Sequence, residues 1–410
     1  MGRPAIVLNW SGSGSYPAGA AAWSGQPLSL KPAGTWFTPN VKPAAEEHNW
    51  LFSTVQADMQ SILTEYGAIT AQNWRTALIP GVAQFGTSDN FQTLNYDVVN
   101  TKWYAGTWTA AGNAMQFYQS EDGEGWSALG PVINATGRLC AAVTGLTSGV
   151  YVAAVFVAAT RMDLKRIDTL GANTWSTTDT GASAAAVDCE LRVFNSLYVA
   201  VQAGAFIKTS PDGTTWTSQT VPAALAGITT GFSVAQSPTS IVAFARTANI
   251  TSCMRSTNGT AWSAVSLGAL IGATDTVYGV AYGQINAAAS GYVVAVQTAS
   301  GSKFLQSIDD GATWTQVSTF GSLLVTDIAV NGSLWVAVTE LAATRASRTL
   351  YSVDGGVTWR RCAFGLSDNL VSGTQNYTRP RVYSSPAGFM QFNSKLLRLS
   401  FAAGQAFPTL

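Results

Sequence analysis

A chain of 410 residues with 22 basic and 22 acidic side chains carries no net charge, and only 11% of it is charged. No dense Lys/Arg face is available to neutralise phosphates, which argues against nucleic acid as a partner, and the chain is too apolar and aromatic for disorder. The longest apolar stretch, 149–159, is too short to cross a bilayer as a helix, so no membrane insertion is expected.

Taken from the start, the first ten residues lack the long apolar core and cleavage site of a signal peptide, so synthesis in a reducing cytosol is expected. Residues 1–42 hold Gly, Ser and Pro with isolated aromatics (Trp10, Tyr16, Trp23, Trp36 and Phe37) and no sustained period. Such a stretch cannot bury a core alone. It reads as an extended anchoring arm whose aromatics dock on another protein, the alternative being a tail packed on its own domain. Residues 43–69 read as an amphipathic helix. Pro43 sits at its first turn, Glu46 and Glu47 lie near its positive end, and Leu51, Val55, Met59, Ile62 and Tyr66 form one apolar stripe, with Trp50 among the candidate docking residues. That face suits docking, self-association or packing against the following domain.

From about residue 75 a period near 45 residues takes over. Its first landmark is a box, clearest in Ser352-Val-Asp354-Gly-Gly-Val-Thr-Trp359 and repeated with the same spacing at Ser307, Asp309 and Trp314. Three boxes are one residue shorter: Ser120, Asp122 and Trp126; Ser210, Asp212 and Trp216; Ser256, Asn258 and Trp262. A sixth, around Asp168 and Trp175, has lost its Ser and carries an insertion. The six Trp residues stand 49, 41, 46, 52 and 45 positions apart. The second landmark is an apolar run with Ala at a fixed place, as in Trp103-Tyr-Ala105, Tyr151-Val-Ala153, Tyr198-Val-Ala200, Ile241-Val-Ala243, Val293-Val-Ala295 and Trp335-Val-Ala337. A seventh run, Phe389-Met-Gln391, follows the last clear box. The recurrent Ala suggests a crowded place, such as inner strands converging on a central channel.

Each unit reads as three strands, a box and a fourth strand, which is one blade of a propeller. In the box, Gly supplies a positive φ, Asp and Ser bond nearby amides, and Trp buries a large apolar surface. The expected fold is therefore all-β: a seven-bladed propeller of four-stranded blades over 70–410. The seventh blade begins near Arg381 and ends in a worn box from Ser400 to Phe407, with too little chain left for an outer strand. Residues 74–79 resemble the strand that follows each box, and are expected to complete that blade and hide its edge.

The chemistry-bearing residues are sparse. Cys140, Cys189, Cys253 and Cys362 show no metal spacing and read as small hydrophobes within strands. The one histidine, His48, lies in the helix, so no Ser-His-Asp or His-metal site is expected in the propeller. Catalytic residues, cofactors and metals are all expected to be none. Arg138, Arg192, Arg246 and Arg381 are scattered, and Glu190, Asp275, Asp327 and Glu340 are carboxylates without evident partners, whereas a retaining glycosidase needs two close together.

The boxes resemble the Asp-box (BNR) repeat of sialidases and related propellers, over 80–410. That resemblance implies that the box aspartates are structural turns on the blade periphery, away from any catalytic face. The family's early Arg-Ile-Pro motif is absent here. The segment Phe37-Thr-Pro-Asn-Val-Lys-Pro-Ala-Ala-Glu-Glu-His-Asn-Trp-Leu-Phe52 resembles the N-terminal segment of bacteriophage tail-fibre and related virion proteins, with Asn40-Val41 in place of a Gly-Thr pair. It implies a non-enzymatic virion protein, made in the host cytoplasm, whose arm binds other virion proteins and whose propeller contacts a host-surface glycan or protein. A head decoration, collar or tail connector is the alternative, and a sialidase-like, glycan-processing enzyme is the second. A homo-oligomer, with a trimer as the family-level expectation, would form through the arm.

Overall fold

Consecutive strands joined by short turns pair antiparallel, so each repeat closes into a sheet of its own. The computed structural model describes residues 75–76, 90–109, 114–123, 125–134, 139–158, 161–182, 189–202, 206–321, 323–341, 347–361, 381–386, 388–392 and 397–401. All fall within the unit 72–410. The arm and helix of residues 1–69, with Trp10, Trp23, Trp36, Phe37, Trp50, Leu51, Val55, Met59 and Ile62, lie outside the described residues.

Seven four-stranded antiparallel sheets are present, and the fold is a seven-bladed β-propeller. In six blades the strands follow one another in sequence. In the seventh, Arg381–Ser385, Gly388–Phe392 and Leu397–Phe401 are joined by Arg75–Thr76, with Arg75 opposite Leu399 and Thr76 opposite Arg398. The innermost strands are Asn90–Asp97, Leu139–Thr147, Cys189–Phe194, Phe232–Gln236, Thr276–Asn286, Leu323–Asn331 and Arg381–Ser385. Each lies against the next, and the last returns to the first, so the ring closes.

The recurrent Ala does not line the channel. Ala105, Ala153, Ala200, Ala243, Ala295 and Ala337 all fall on the second strand of their blade and are fully buried. Blades pack face to face, so this central strand is covered on both sides and reads as a continuous apolar run. Tyr292 to Val296 are all buried, for example. Small and large residues alternate across each interface: Tyr104 of blade 1 meets Tyr151 and Ala153 of blade 2 in one cluster. In blade 5 the landmark is one residue out of step. Tyr292 pairs with Ser307 as Trp103 pairs with Ser120, which puts Val294 at the alanine's place.

The outer strands of blades 3 and 4 are short and polar. Thr217–Gln219 and Ser263–Ser266 are three and four residues long and mostly exposed. Such brevity blunts an edge that could otherwise pair with another chain. Two cysteines are placed as small hydrophobes: Cys189 and Cys253 are buried free thiols. Burial pushes the Cys253 thiol up to about 12.

Two tests bear on this architecture. Gly311 has φ +81° and a Cβ there would sit 2.6 Å from Val242 Cγ1 on the preceding blade, whereas Gly227, φ +83°, faces open space. Gly227→Ala should cost about 1 kcal/mol for backbone strain alone, and Gly311→Ala about 2–4 kcal/mol, read from denaturant melts. A chain beginning at residue 78 should melt below one beginning at residue 72; equal melting temperatures would show that Arg75–Thr76 contributes nothing to ring closure.

Candidate functional site

The box turns come first because they fix one end of the molecule. In a four-stranded meander the turns between strands 1 and 2 and between strands 3 and 4 share an end, and the boxes occupy the latter. In blade 6, Ser352 ends the third strand and its hydroxyl donates to Asp354 Oδ1 at 2.7 Å while accepting the Gly356 amide at 2.9 Å. Asp354 in turn accepts the amide and the hydroxyl of Thr358, at 2.9 and 2.5 Å. Blade 5 repeats these bonds with Ser307, Asp309, Gly311 and Thr313. In the shorter boxes Asp122 accepts the Gly125 amide, and Asp212 those of Thr214 and Thr215. Asn258 makes the same pattern through its amide oxygen, so an amide can build the shorter turn, whereas in the longer boxes both carboxylate oxygens of Asp309 and Asp354 accept bonds.

Trp126, Trp262 and Trp359 donate their indole N–H to the carbonyls of Gly123, Gly259 and Gly356, at 2.8–2.9 Å. Trp216 turns instead to the Thr178 hydroxyl of the preceding blade at 3.1 Å. Trp314 packs edge-on against Phe244, and Trp359 stacks on Phe304, in each case a residue of the preceding blade. The sixth box is a different turn. Asp168 ends its strand and its carboxylate accepts the Leu170 and Gly171 amides, at 3.1 and 3.0 Å, with Asn173 rather than Gly supplying a positive φ. Trp175 nonetheless keeps the cross-blade contact, lying 5.4 Å from Phe117.

The second feature is a central cavity of about 260 Å³, lined by the innermost strands of all seven blades. Tyr96, Val98, Val99 and Gln236 stand at its box end, and Ser233, Glu190 and Arg246 toward the other. Here the structure groups residues that sequence reasoning left apart. Glu190 is buried and takes Arg246 on Oε1 and Arg192 on Oε2, both at 2.8 Å. Arg246 also donates to Ser233 Oγ at 2.9 Å, and Ser233 donates onward to the Tyr278 carbonyl at 2.8 Å. This chain of bonds ties blades 3, 4 and 5. Arg192 reaches the Val234 carbonyl at 3.2 Å.

The remaining carboxylates are engaged in the same way. Asp97 accepts the amides of Val99 and Asn100 in its own turn and that of Gly145 in blade 2, the last at 2.7 Å. Asp327 accepts the amides of Ile328 and, in blade 7, of Val382. Asp275 pairs with Lys303 and accepts the Gly272 amide. Glu190 and Asp275 therefore have partners, contrary to their appearance in sequence, and none of these carboxylates stands as an isolated acid facing a second one. Glu340 is buried near the end of its strand, whereas the side chains of Arg138 and Arg381 lie outside the described residues. Among the described residues, no group of His, Cys, Asp and Glu is arranged to hold a metal ion.

Neither a family model nor a curated protein matches the chain. Solved structures do. YCF48 bound to a D1 peptide is 13% identical, with a TM-score of 0.54 over 80% of this chain and 96% of that one. YCF48 from Cyanidioschyzon merolae is 14% identical, with a TM-score of 0.52 over 80% and 98%. An ancestral GH74 enzyme is 13% identical, with a TM-score of 0.50 over 78% of this chain and 49% of its own. What they share is the propeller. At such identities the likeness carries fold and nothing of activity.

The box carboxylates set an acid limit on stability. For Asp212, amide bonds from Thr215 and Thr214 hold the carboxyl below its ordinary range. For Asp309 and Asp354 burial pushes upward, but the bonds from Thr313, Thr358 and the box serines outweigh it and the net shift is down. A depressed folded-state value contributes stability above the unfolded pKa, near 4, that is lost as pH falls through the folded value. The double variant Asp309→Asn/Asp354→Asn should therefore be less stable than the parent at neutral pH, with the gap closing as pH falls below the ordinary carboxylate range. Separately, Glu190→Ala leaves two largely buried guanidinium groups facing each other and should cost about 2–4 kcal/mol, measured by denaturant unfolding.

Proposed function

We propose that this chain is a non-enzymatic bacteriophage virion protein of the tail-fibre or appendage type, with Asp-box turns, an arm that anchors it to the particle and a propeller that contacts the host surface. The observation that carries the non-enzymatic half is the engagement of the cavity's carboxylates. Asp97, Glu190 and Asp327 hold backbone amides or arginines that join neighbouring blades, and each bond used this way restrains the group from the proton transfer that hydrolysis requires. A cavity of this kind offers recognition: hydroxyls, amides and half-buried tyrosines at the centre of a rigid ring. Binding is a use to which propellers of this fold are put, since YCF48 is known with a bound D1 peptide. The virion half rests on the resemblance of residues 37–52 to phage attachment segments.

The test uses the full chain, labelled, with intact bacteria of candidate hosts. Saturable binding that disappears from strains with altered surface polysaccharide is the expected result. Binding to no host, together with co-purification in a head or connector fraction of the particle, would replace the receptor reading with that of a decoration or connector. Release of sugar from purified host polysaccharide would overturn the non-enzymatic reading outright.

A further inference from the structure

The turns at the box end carry apolar side chains that the fold does not need. Eight large hydrophobic residues are well exposed among the described residues, and six of them are turn residues at this end: Val98, Val99, Leu170, Ile308, Val353 and Val357. Leu170 is 82% exposed, Val98 76% and Ile308 69%. Ile308 and Val353 occupy the place between the box Ser and Asp, where blades 1, 3 and 4 carry Glu121, Pro211 and Thr257. The bonds that build the turn run through the Ser hydroxyl, the Asp or Asn oxygen and the following amides, so the intervening side chain is free to be polar. In blades 5 and 6 it is not.

The six residues are also grouped around the ring. They belong to blades 1, 2, 5 and 6, the blades on either side of the one completed by Arg75–Thr76, while the box turns of blades 3 and 4 are capped by Thr and Pro. Isolated exposed Val or Ile is ordinary; grouping at one end and along one arc marks a contact surface. Charge then says what kind of contact. Glu121, Asp122, Asp168, Asp309, Asp310 and Asp354 stand on the same arc, against Lys102, Arg166 and Arg360. Lys102 is set against Glu121 and Arg166 against Asp168. The hydrogen bonds that hold Asp309 and Asp354 below the ordinary carboxylate range keep them ionised.

We propose that this arc of the box end is a docking surface for a partner protein that presents apolar side chains among Lys and Arg. A second copy of the chain is disfavoured, because a two-fold contact sets the same acidic arc against itself. Docking there would lie across the turns that flank the closing blade. The proposal concerns the box end and stands apart from the receptor reading above.

The probe is a short amphipathic Lys/Leu peptide, with a Glu/Leu peptide of the same pattern as its counterpart, titrated into the full chain. Expected is saturable binding of the Lys/Leu peptide that weakens with rising salt, at least about tenfold weaker for Leu170→Ser/Ile308→Ser/Val353→Ser and unchanged for Val132→Ser on the exposed outer strand of blade 1. The substitutions are at exposed positions, and an unchanged melting temperature confirms that the triple variant is folded. Equal binding by the triple variant, or by the Glu/Leu peptide, would overturn the proposal. So would a dimer of the parent chain in sedimentation that the triple variant lacks, because the occupant would then be a second copy.

Discussion

A propeller has no single sheet to hold it together; it has seven, and each presents its innermost strand edge-on to the axis. Half of the backbone groups on such an edge have no partner within the blade. The constraint on this chain is therefore to satisfy the inner edges and, with the same bonds, to fix each blade to the next. It is met by side chains of one blade reaching the backbone of its neighbour. Asp97 takes the Gly145 amide, Arg192 gives to the Val234 carbonyl, Ser233 gives to the Tyr278 carbonyl and Asp327 takes the Val382 amide. From blade 5, Ser302 both donates to the Leu323 carbonyl and accepts the Val325 amide. Bonds of charged groups to backbone are worth about 1.5–3 kcal/mol each where water is scarce, and leaving their partners bare costs comparably.

Three of the interfaces solve a different problem with a repeated device. An aromatic at the start of the second strand reaches back to the preceding blade's first turn. Tyr198 accepts the Leu146 amide, Tyr292 is bonded to the Ser237 amide and the Ser240 carbonyl, and Trp335 donates to the Gln284 carbonyl. The box glycines pack from the other side, with Val152, Val242 and Val293 in the place where a Cβ on Gly213, Gly311 or Gly356 would stand. The extra residue of the blade 5 box, Asp310, adds a latch of its own: its carboxylate accepts the hydroxyls of Ser237 and Thr239 in blade 4. Blades 3, 5 and 6 thus grip their predecessors at the box end.

That division explains what could be read in advance. The boxes and second-strand runs recur because their partners lie within a few residues, or on a neighbouring blade at a constant offset, and one residue type serves every time. The inner latches do not recur in kind. The same edge is satisfied by a carboxylate in blade 1, a guanidinium in blade 3 and a hydroxyl in blade 4, so no period survives for sequence to show. Glu190 and Arg246 stand 56 positions apart and meet only because blades 3 and 4 are adjacent. From sequence, the crowded alanine points to convergence on the axis. Crowding here comes from sheets stacked on both faces of the second strand. Asp168 was legible as an acceptor, but not as the head of a turn built differently from its neighbours.

A repeat of this kind also tells where distinct function has to reside. What blades 1 to 6 share, the box Asp or Asn and the Trp, answers a need common to those blades, which is folding. Residues that differ between equivalent places are released from that need. On the inner strands the differences are absorbed by the latches, which are various in chemistry but common in effect. At the box end they are not absorbed: Ile308 and Val353 bond nothing in the turn, and Glu121, Pro211 and Thr257 fill the same place without harm to it. An apolar side chain left exposed at a position that tolerates Glu or Thr contributes nothing to the stability of the isolated chain. Fully burying an Ile or Val side chain is worth roughly 1.5–3 kcal/mol, and Ile308 and Val353 keep 69% and 49% of their surface in water. The fold cannot recover that energy; a contact with another molecule can.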